Sequence, residues 1–445
     1  MNCPYLDCGG ALETGGQSCP ECRRIIKTCQ NAGCGASNRF WARYCTACGE
    51  PLAEVSFNWP CARGGCQRTG RAPCLKETDI HNWKLSPLSE IAPPAKGQAG
   101  VQWPSLLIYG DCLVTGYAAG CIRIFDLSAR SGAAASEVNS IELGEHLYSS
   151  PAISRESLYV GAGNSIFAYS MSMLLEGKSS QPRWKKSLDR AAVHSIMPVG
   201  DVLAVTSKSP EGLWEVGALK GVSGNRPPDY LPIHKAATVS SLAGNSLYAQ
   251  GVAGESKFYF FFFSSNGRDT LVHKVDVNPV DCSLTMGSHT FNINLPVKDP
   301  SLMPVAAVGN IVYVLAGDGA LFRFNAVQRT GQRMGNFGGL RDFALLSPNT
   351  PIVAADNGVF RLDGANRIRL EGPGENITAP PVLMGDKALI LGLGQGEIRL
   401  YHPERLSHEK TLQVEYGRSV VSVAVSRNIV AAVSDSGLAK VWLVL

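Results

Sequence analysis

Cysteine is the residue whose type and spacing carry chemistry in this chain. Eleven of the 14 cysteines lie at or before position 74. The first four, Cys3, Cys8, Cys19 and Cys22, are spaced C-x4-C, ten residues, C-x2-C, and the next four, Cys29, Cys34, Cys45 and Cys48, repeat that spacing unchanged. Two pairs of thiolates brought together by a hairpin supply the four soft ligands of a tetrahedral metal site. Gly9 and Gly10 after Cys8, Gly35 after Cys34 and Gly49 after Cys48 stand where the backbone must turn its amides toward sulfur. The spacing predicts two structural zinc ions, one per set of four. Each half is too short to fold by burial alone, so the metal must supply most of its stability. Disulfides and redox dithiols are the competing chemistries, and neither C-x2-C pair sits in a thioredoxin-like strand-helix pattern.

A third set follows, in which Cys61 and Cys66 repeat C-x4-C, Cys74 stands alone, and His81 is the nearest candidate for a fourth ligand. These residues form either a third zinc site or a decayed repeat with free thiols. Between Arg23 and Arg71 eight basic residues, Arg23, Arg24, Lys27, Arg39, Arg43, Arg63, Arg68 and Arg71, accompany the aromatics Phe40, Trp41 and Tyr44. That is the composition of a small nucleic-acid surface. However, residues 1–80 carry nine basic and seven acidic side chains, and two four-thiolate zinc centres at −2 each turn that +2 into −2. The basic residues are therefore read first as an offset to thiolate charge, then as a protein-docking surface, and last as a nucleic-acid surface.

CPYLDC with CPEC and CQNAGC with CTAC make residues 1–50 resemble a double zinc ribbon. The ribbon's usual first knuckle has two intervening residues, whereas here it has four.

The elements that must carry this module lie beyond it. Residues 86–104 hold Pro87, Pro93, Pro94 and Pro104, which reads as a linker or strap. From 105 onward a pattern recurs: an apolar strand, a Gly and Asp or Asn turn, a second strand, a Gly turn and a third strand with aromatics. Its eight instances start at 110, 155, 200, 244, 309, 349, 385 and 427. A spacing near 45 residues fits a four-stranded propeller blade. The long interval after 244 is read as an extra hairpin around Leu271–Leu295, and the instance near 350 is the weakest, so eight blades are favoured and seven stay open. The fold class is mainly β: zinc ribbons at 1–50, a further metal-binding element at 51–80, an outer strand and linker at 81–104, and a propeller at 105–445.

The last instance ends at Leu445 without an outer strand. The outer strand after the second instance begins RWKKSLD, and NWKLSPL from Asn82 is similar to it, with Trp83 aligned to Trp184. Residues 82–86 are therefore expected to complete the final blade and close the ring, removing an open sheet edge.

The repeats resemble propellers of the pyrroloquinoline quinone type, with a WD-like flavour at Phe125-Asp126 and Val441-Trp442. That resemblance implies a calcium-bound quinone in the channel, a Trp floor and a disulfide of adjacent cysteines in an exported dehydrogenase. Here there are no adjacent cysteines and no acidic and Asn cluster to hold the group. His146, His194, His234, His273, His289, His402 and His408 are scattered without ligand spacing. Cys112, Cys121 and Cys282 read as small buried residues, and the aromatic run Phe258–Phe263 as a strand buried on both faces.

The net charge of +4, from 41 basic and 37 acidic residues, argues against an extended polyanion-binding face. The first residues form no export signal, and no apolar stretch reaches the roughly 18 residues that span a bilayer. The expectation is a cytoplasmic, non-enzymatic scaffold with no membrane association. Its ribbons dock to a partner and its propeller binds a protein or peptide. A nucleic-acid adaptor is the first alternative and a quinone-dependent dehydrogenase the second.

Overall fold

Seven of the eight recurring segments supply the second and third strands of a four-stranded antiparallel sheet, as Cys112–Tyr117 with Cys121–Asp126 and Ser157–Ala162 with Ser165–Ser170 illustrate. In the computed structural model, eight blade sheets are present among the described residues, six of four strands and two that carry a fifth. Those residues are 2–4, 8, 10–12, 19–21, 26–39, 42, 45–50, 52, 71–72, 74, 79–93, 106–127, 135–154, 156–189, 191–235, 248–251, 258–265, 270–278, 280–286, 291–292, 305–308, 311–315, 319–325, 328, 330–337, 340–355, 358–364, 366–370 and 376–445. We number the blades 1 to 8 by their first strands, which begin at Leu106, Ala152, Ala192, Tyr248, Val305, Leu340, Val382 and Val420.

The first strands of neighbouring blades touch one another from blade 6 through blade 8 and blade 1 to blade 5, and blades 5 and 6 share the apolar cluster of Ala306, Tyr313, Phe343 and Val353. These strands therefore line the axis of an eight-bladed β-propeller. Second strands are covered on both faces by adjacent blades, and all six residues of Cys112–Tyr117, Ser157–Ala162 and Ile429–Ser434 are buried. Fourth strands reach solvent, as all four residues of Asn366–Arg369 show. Burial on both faces is why the second strands read as near-continuous apolar runs rather than alternating ones.

The ring closes by pairing the strand that precedes blade 1 with the third strand of blade 8. Leu85–Ile91 pairs antiparallel with Ala439–Val444 as the fourth strand of blade 8, and Lys84 and Leu445 exchange backbone hydrogen bonds at 3.1 and 2.8 Å. Trp83 is buried beside this strand, as Trp184 is at the start of its counterpart in blade 2. The closing strand runs further than the expected 82–86. It passes through Pro87, opposite Trp442, where the register shifts. An outer strand with a bulge tolerates a residue that lacks an N–H, so this proline does not end the strand.

Blade 4 corrects the reading of an extra hairpin around Leu271–Leu295. Tyr248–Gly251 is its innermost strand, Phe258–Ser265 its second, Thr270–Val277 its third and Leu284–Met286 its fourth, with Phe291–Asn292 beside the third. The supposed extra hairpin supplies the blade's own outer strands, so the pattern match was displaced by one strand. Phe260 and Phe262 are fully buried, and the Phe262 ring stacks on His273 at 4.5 Å.

In blades 1, 2, 3, 6, 7 and 8 a turn of two or three residues joins the first strand to the second. Gly110, Gly200 and Gly385 take positive φ at the first position of that turn in blades 1, 3 and 7. In blade 8 the same position holds Arg427 at φ 53, and in blade 2 the second position holds Glu156 at φ 61. L-residues other than Gly adopt this conformation at a cost of about 1–2 kcal/mol. The face of the propeller that carries these turns also carries the third-to-fourth-strand connections, including the short helix Met171–Leu175.

Candidate metal centre

The second cysteine set is formed by a short hairpin, Ile26–Thr28 against Ser37–Arg39, with Ile26 opposite Arg39. Cys29 leaves the first strand, and the chain turns at Asn31, whose carbonyl accepts from Cys34 N at 2.9 Å and from Gly35 N at 3.3 Å. The second turn is built likewise, Gly49 N donating to Cys45 O at 2.9 Å. Gly35 has φ +60 and Gly49 φ +77, the left-handed geometry their positions after Cys34 and Cys48 imply.

These turns bring the four sulfurs of Cys29, Cys34, Cys45 and Cys48 within 4.8 Å of one another. Cys29 and Cys48 Sγ are 3.6 Å apart, as are Cys34 and Cys45 Sγ. A disulfide needs about 2.05 Å. Four thiolates about 2.3 Å from a central tetrahedral ion lie about 3.8 Å from one another, close to the observed separations. Side chains around the sulfurs complete the donor set: Asn38 Nδ2 donates to Cys45 Sγ at 3.6 Å, while Asn38 Oδ1 accepts from Thr46 N at 2.8 Å.

Crowding sets the thiols against one another. The Asn31 backbone N–H pulls Cys29 down, yet burial and the thiols of Cys48, Cys45 and Cys34 push it up to about 12. Cys34 moves up too, its Ala36 amide outweighed by Cys48, burial and Cys45. Burial raises Cys45, but the amides of Ala47 and Cys48, the Asn38 side chain and the Cys34 thiol hold it near 6. Four adjacent thiols ionise together only when a cation removes their mutual repulsion. The donor set therefore fits a divalent metal ion.

The first set assembles in the same way. Cys3, Cys8 and Cys19 Sγ lie within 4.8 Å of one another, Cys8 and Cys19 being 3.6 Å apart, and Gly10 N donates to Cys8 Sγ at 3.4 Å. Cys22 lies outside the described residues. The division of the cysteines into two sequential sets, rather than an interleaved pair, follows the spacing. Of the third set, Cys61 and Cys66 lie outside the described residues. Cys74 forms a backbone bridge with Arg427, and His81 stands half exposed in the turn Ile80–Asn82 with Nδ1 4.0 Å from Asp79.

What the spacing missed is where the module sits. Cys3, Leu12, Cys19 and Ile26 share one apolar cluster with Tyr109, Cys112, Met171 and Leu174 of blades 1 and 2. Lys27 Nζ lies 3.8 Å from Glu156 Oε1, with both side chains buried, and Arg39 Nη1 lies 3.8 Å from Glu176 Oε1. Arg71 Nη1 donates to Leu346 O of blade 6 at 2.7 Å. Thus three of the eight basic residues considered as a nucleic-acid surface hold the module to the chain's own propeller. The remaining five, with Phe40, Trp41 and Tyr44, lie outside the described residues.

On the opposite face, His146, Tyr148, His194 and Trp214 form a row of rings. Tyr148 stacks on His194 at 5.4 Å, His194 meets Trp214 edge-on at 4.7 Å, and Lys208 Nζ lies 5.2 Å over Trp214. No spacing in the chain signals this row, because His146 and Tyr148 come from the connection between blades 1 and 2 while His194 and Trp214 belong to blade 3. Cys112 and Cys121 are buried in strands as expected, while Cys282 occupies a left-handed turn position at φ 56.

No family model matches the sequence, and no curated protein matches it. Solved structures do. BamB from Moraxella catarrhalis matches with a TM-score of 0.53 at 14% identity, over 81% of this chain and 98% of that one. The likeness is one of fold. A europium-containing methanol dehydrogenase matches at 0.56 and 9% identity, over 85% of this chain and 90% of that one. Sqt1 of Saccharomyces cerevisiae matches at 0.52 and 9% identity, over 84% of this chain and all of that one. At such identities the β-propeller is what the proteins share, and propellers carry unrelated activities. Among the described residues no helix is long and apolar enough to cross a membrane.

Proposed function

We propose that this chain is a non-enzymatic scaffold: an eight-bladed propeller that binds a protein or peptide partner, carrying a double zinc ribbon that braces one face. The observation behind the reading is the buried Lys27–Glu156 pair, which together with the apolar cluster around Cys3 and Cys19 fixes the metal module to blades 1 and 2. A module held this way adds a rigid rim to the platform. The ribbons' docking is thus first of all intramolecular.

Zinc is the ion the donor set favours: four thiolates select a soft or borderline cation, and tetrahedral S4 geometry suits zinc without redox chemistry. The ion's role is structural, closing a fold that its own apolar residues are too few to close. Thiolates kept as ligands require a reducing compartment, which supports a cytoplasmic location.

The test is affinity capture with the intact protein against the Cys34→Ser, Cys45→Ser double variant, alongside elemental analysis of both. The reading expects two zinc ions per chain in the wild type and one fewer in the variant, with a partner retained by the wild type at stoichiometric yield. Turnover of a redox dye with added quinone and calcium, and no retained partner, would overturn it in favour of a dehydrogenase.

A further inference from the structure

Between the metal module and the closing strand, Arg71–Ala72 forms a strand of its own. It runs parallel to blade 7, with Arg71 opposite Leu383 and Ala72 opposite Met384. Among the described strands it makes the one parallel pairing, and it alone is added to the axial side of a first strand. Its partners come from three blades. Gly385 N donates to Ala72 O at 2.7 Å, Arg71 Nη1 donates to Leu346 O of blade 6 at 2.7 Å, and Cys74 bridges Arg427 of blade 8. The segment thus lies at the mouth of the central channel.

The socket is shaped for small residues. Ala72 is 2% exposed and packs in the cluster that holds Val382 and Met384. A Cβ on Gly385 would stand 3.0 Å from Cys74 Cβ, so the bare turn makes room for the Cys74 side chain. Arg427, at φ 53 where three other blades have Gly, and 9% exposed, is the residue Cys74 meets on the other side. A sheet edge that carries one short added strand, one small side chain in a fitted socket and a basic anchor has the parts used for strand-addition recognition of peptides.

We infer that the axial edge of Val382–Met384 is a receptor for an extended peptide in which a small residue follows a basic one, and that Arg71–Ala72 occupies it in cis. A partner peptide of that form binds by displacing the chain's own segment. The inference rests on the reading of the propeller as a peptide-binding platform and assigns the edge that reads the peptide. A tethered occupant acts at an effective concentration of about millimolar. It therefore weakens a competing peptide by the ratio of that concentration to the segment's own dissociation constant.

The test uses the full chain and a fluorescein-labelled peptide copying residues 69–76, with serine at the Cys74 position, read by anisotropy. Ala72→Asp puts a charge into the apolar socket and expels the cis strand. Three results are expected: the peptide binds the Ala72→Asp chain at least tenfold more tightly than wild type, the Gly385 amide exchanges fast in that variant, and peptide restores its protection. Gly385→Val, which fills the space of the Cys74 side chain, should bind peptide no better than wild type. An Ala72→Asp chain with an unchanged propeller melting temperature and an exposed Gly385 amide, but no gain in peptide affinity, overturns the inference. So does an Ala72→Asp chain whose Gly385 amide stays protected. If a partner is captured equally by wild type, Ala72→Asp and Gly385→Val while the peptide binds none of them, the edge is not the site and the platform reading stands. Peptide binding as described, with no partner captured by any variant, leaves the edge and removes the platform reading.

Discussion

Lys27 Nζ stands 3.8 Å from Glu156 Oε1, joining the metal module to a turn of blade 2 in which glutamate adopts φ 61. The turn is further fixed by Met171 N, which donates to Glu156 O at 2.9 Å. A charged residue held in a left-handed turn and buried against a lysine is a device for attachment.

Substitution at Glu156 should therefore separate attachment from turn stability. Glu156→Gln leaves the Lys27 charge buried beside a neutral amide and is expected to weaken docking by about 3 kcal/mol. Glu156→Gly loses the same pair but relieves the left-handed conformation, worth about 1 kcal/mol to the propeller. Hydrogen exchange should show Ile26–Arg39 deprotected in both variants, while the propeller melts higher in the glycine variant than in the glutamine one. Equal protection of the hairpin in wild type and Glu156→Gln would show that the pair does not hold the module.

Metal removal should unfold the module and spare the blades. With chelator, amide protection across Ile26–Thr28 and Ser37–Arg39 is expected to vanish, while that of Ser157–Ala162 persists. Acidification should act in the same direction, because proton and metal compete for each thiolate, so metal is held at neutral pH and released as pH falls. Elemental analysis across a pH series measures the loss.

Ring closure predicts a large effect at a single aromatic residue. Trp83 is 2% exposed beside the strand that seals blade 8, and Trp83→Ala should cost about 3–5 kcal/mol in urea unfolding. Truncation before Ala439 removes the strand that Leu85–Ile91 pairs with. The Trp83 emission, taken as the difference from a Trp83→Phe chain, should then shift to the red. An unshifted spectrum in the truncated chain would mean that closure does not depend on this pairing.

The ring row on the opposite face predicts an acid limb. Burial, then the nearby Lys208 charge, lower His194 from 6.5 to about 4. Since the folded-state value lies below that of the unfolded chain, protonation favours unfolding. The stability is full above about pH 6.5 and declines as pH falls toward 4. His194→Phe should flatten the melting temperature across that window, and an unchanged slope would place the acid sensitivity elsewhere.

Local chemistry was legible without the fold. The repeated x4, x10, x2 spacing separates Cys29, Cys34, Cys45 and Cys48 from Cys3, Cys8 and Cys19, because ligand pairs within a short hairpin need no distant element to meet. The turn glycines marked the blades, and the similarity of NWKLSPL to RWKKSLD located the closing strand through its tryptophan. Its extent was misjudged at Pro87, since whether a proline ends a strand depends on which side faces the sheet. Blade 4 was displaced by one strand because Phe258–Phe263, an unbroken aromatic run, carries no alternation to say which neighbours cover it.

The sequence by itself determined the metal-binding chemistry, the repeat and the closure of the ring, because each follows from contacts between residues near in the chain or from a period that recurs along it. Only the tertiary structure decided where the module rests, that Lys27 and Arg39 face glutamates more than 120 positions away, and that Arg71–Ala72 lies against blade 7 at the channel mouth. Those placements depend on which face each blade turns toward the others. No spacing in the chain encodes that, since it emerges only when eight sheets close into a ring.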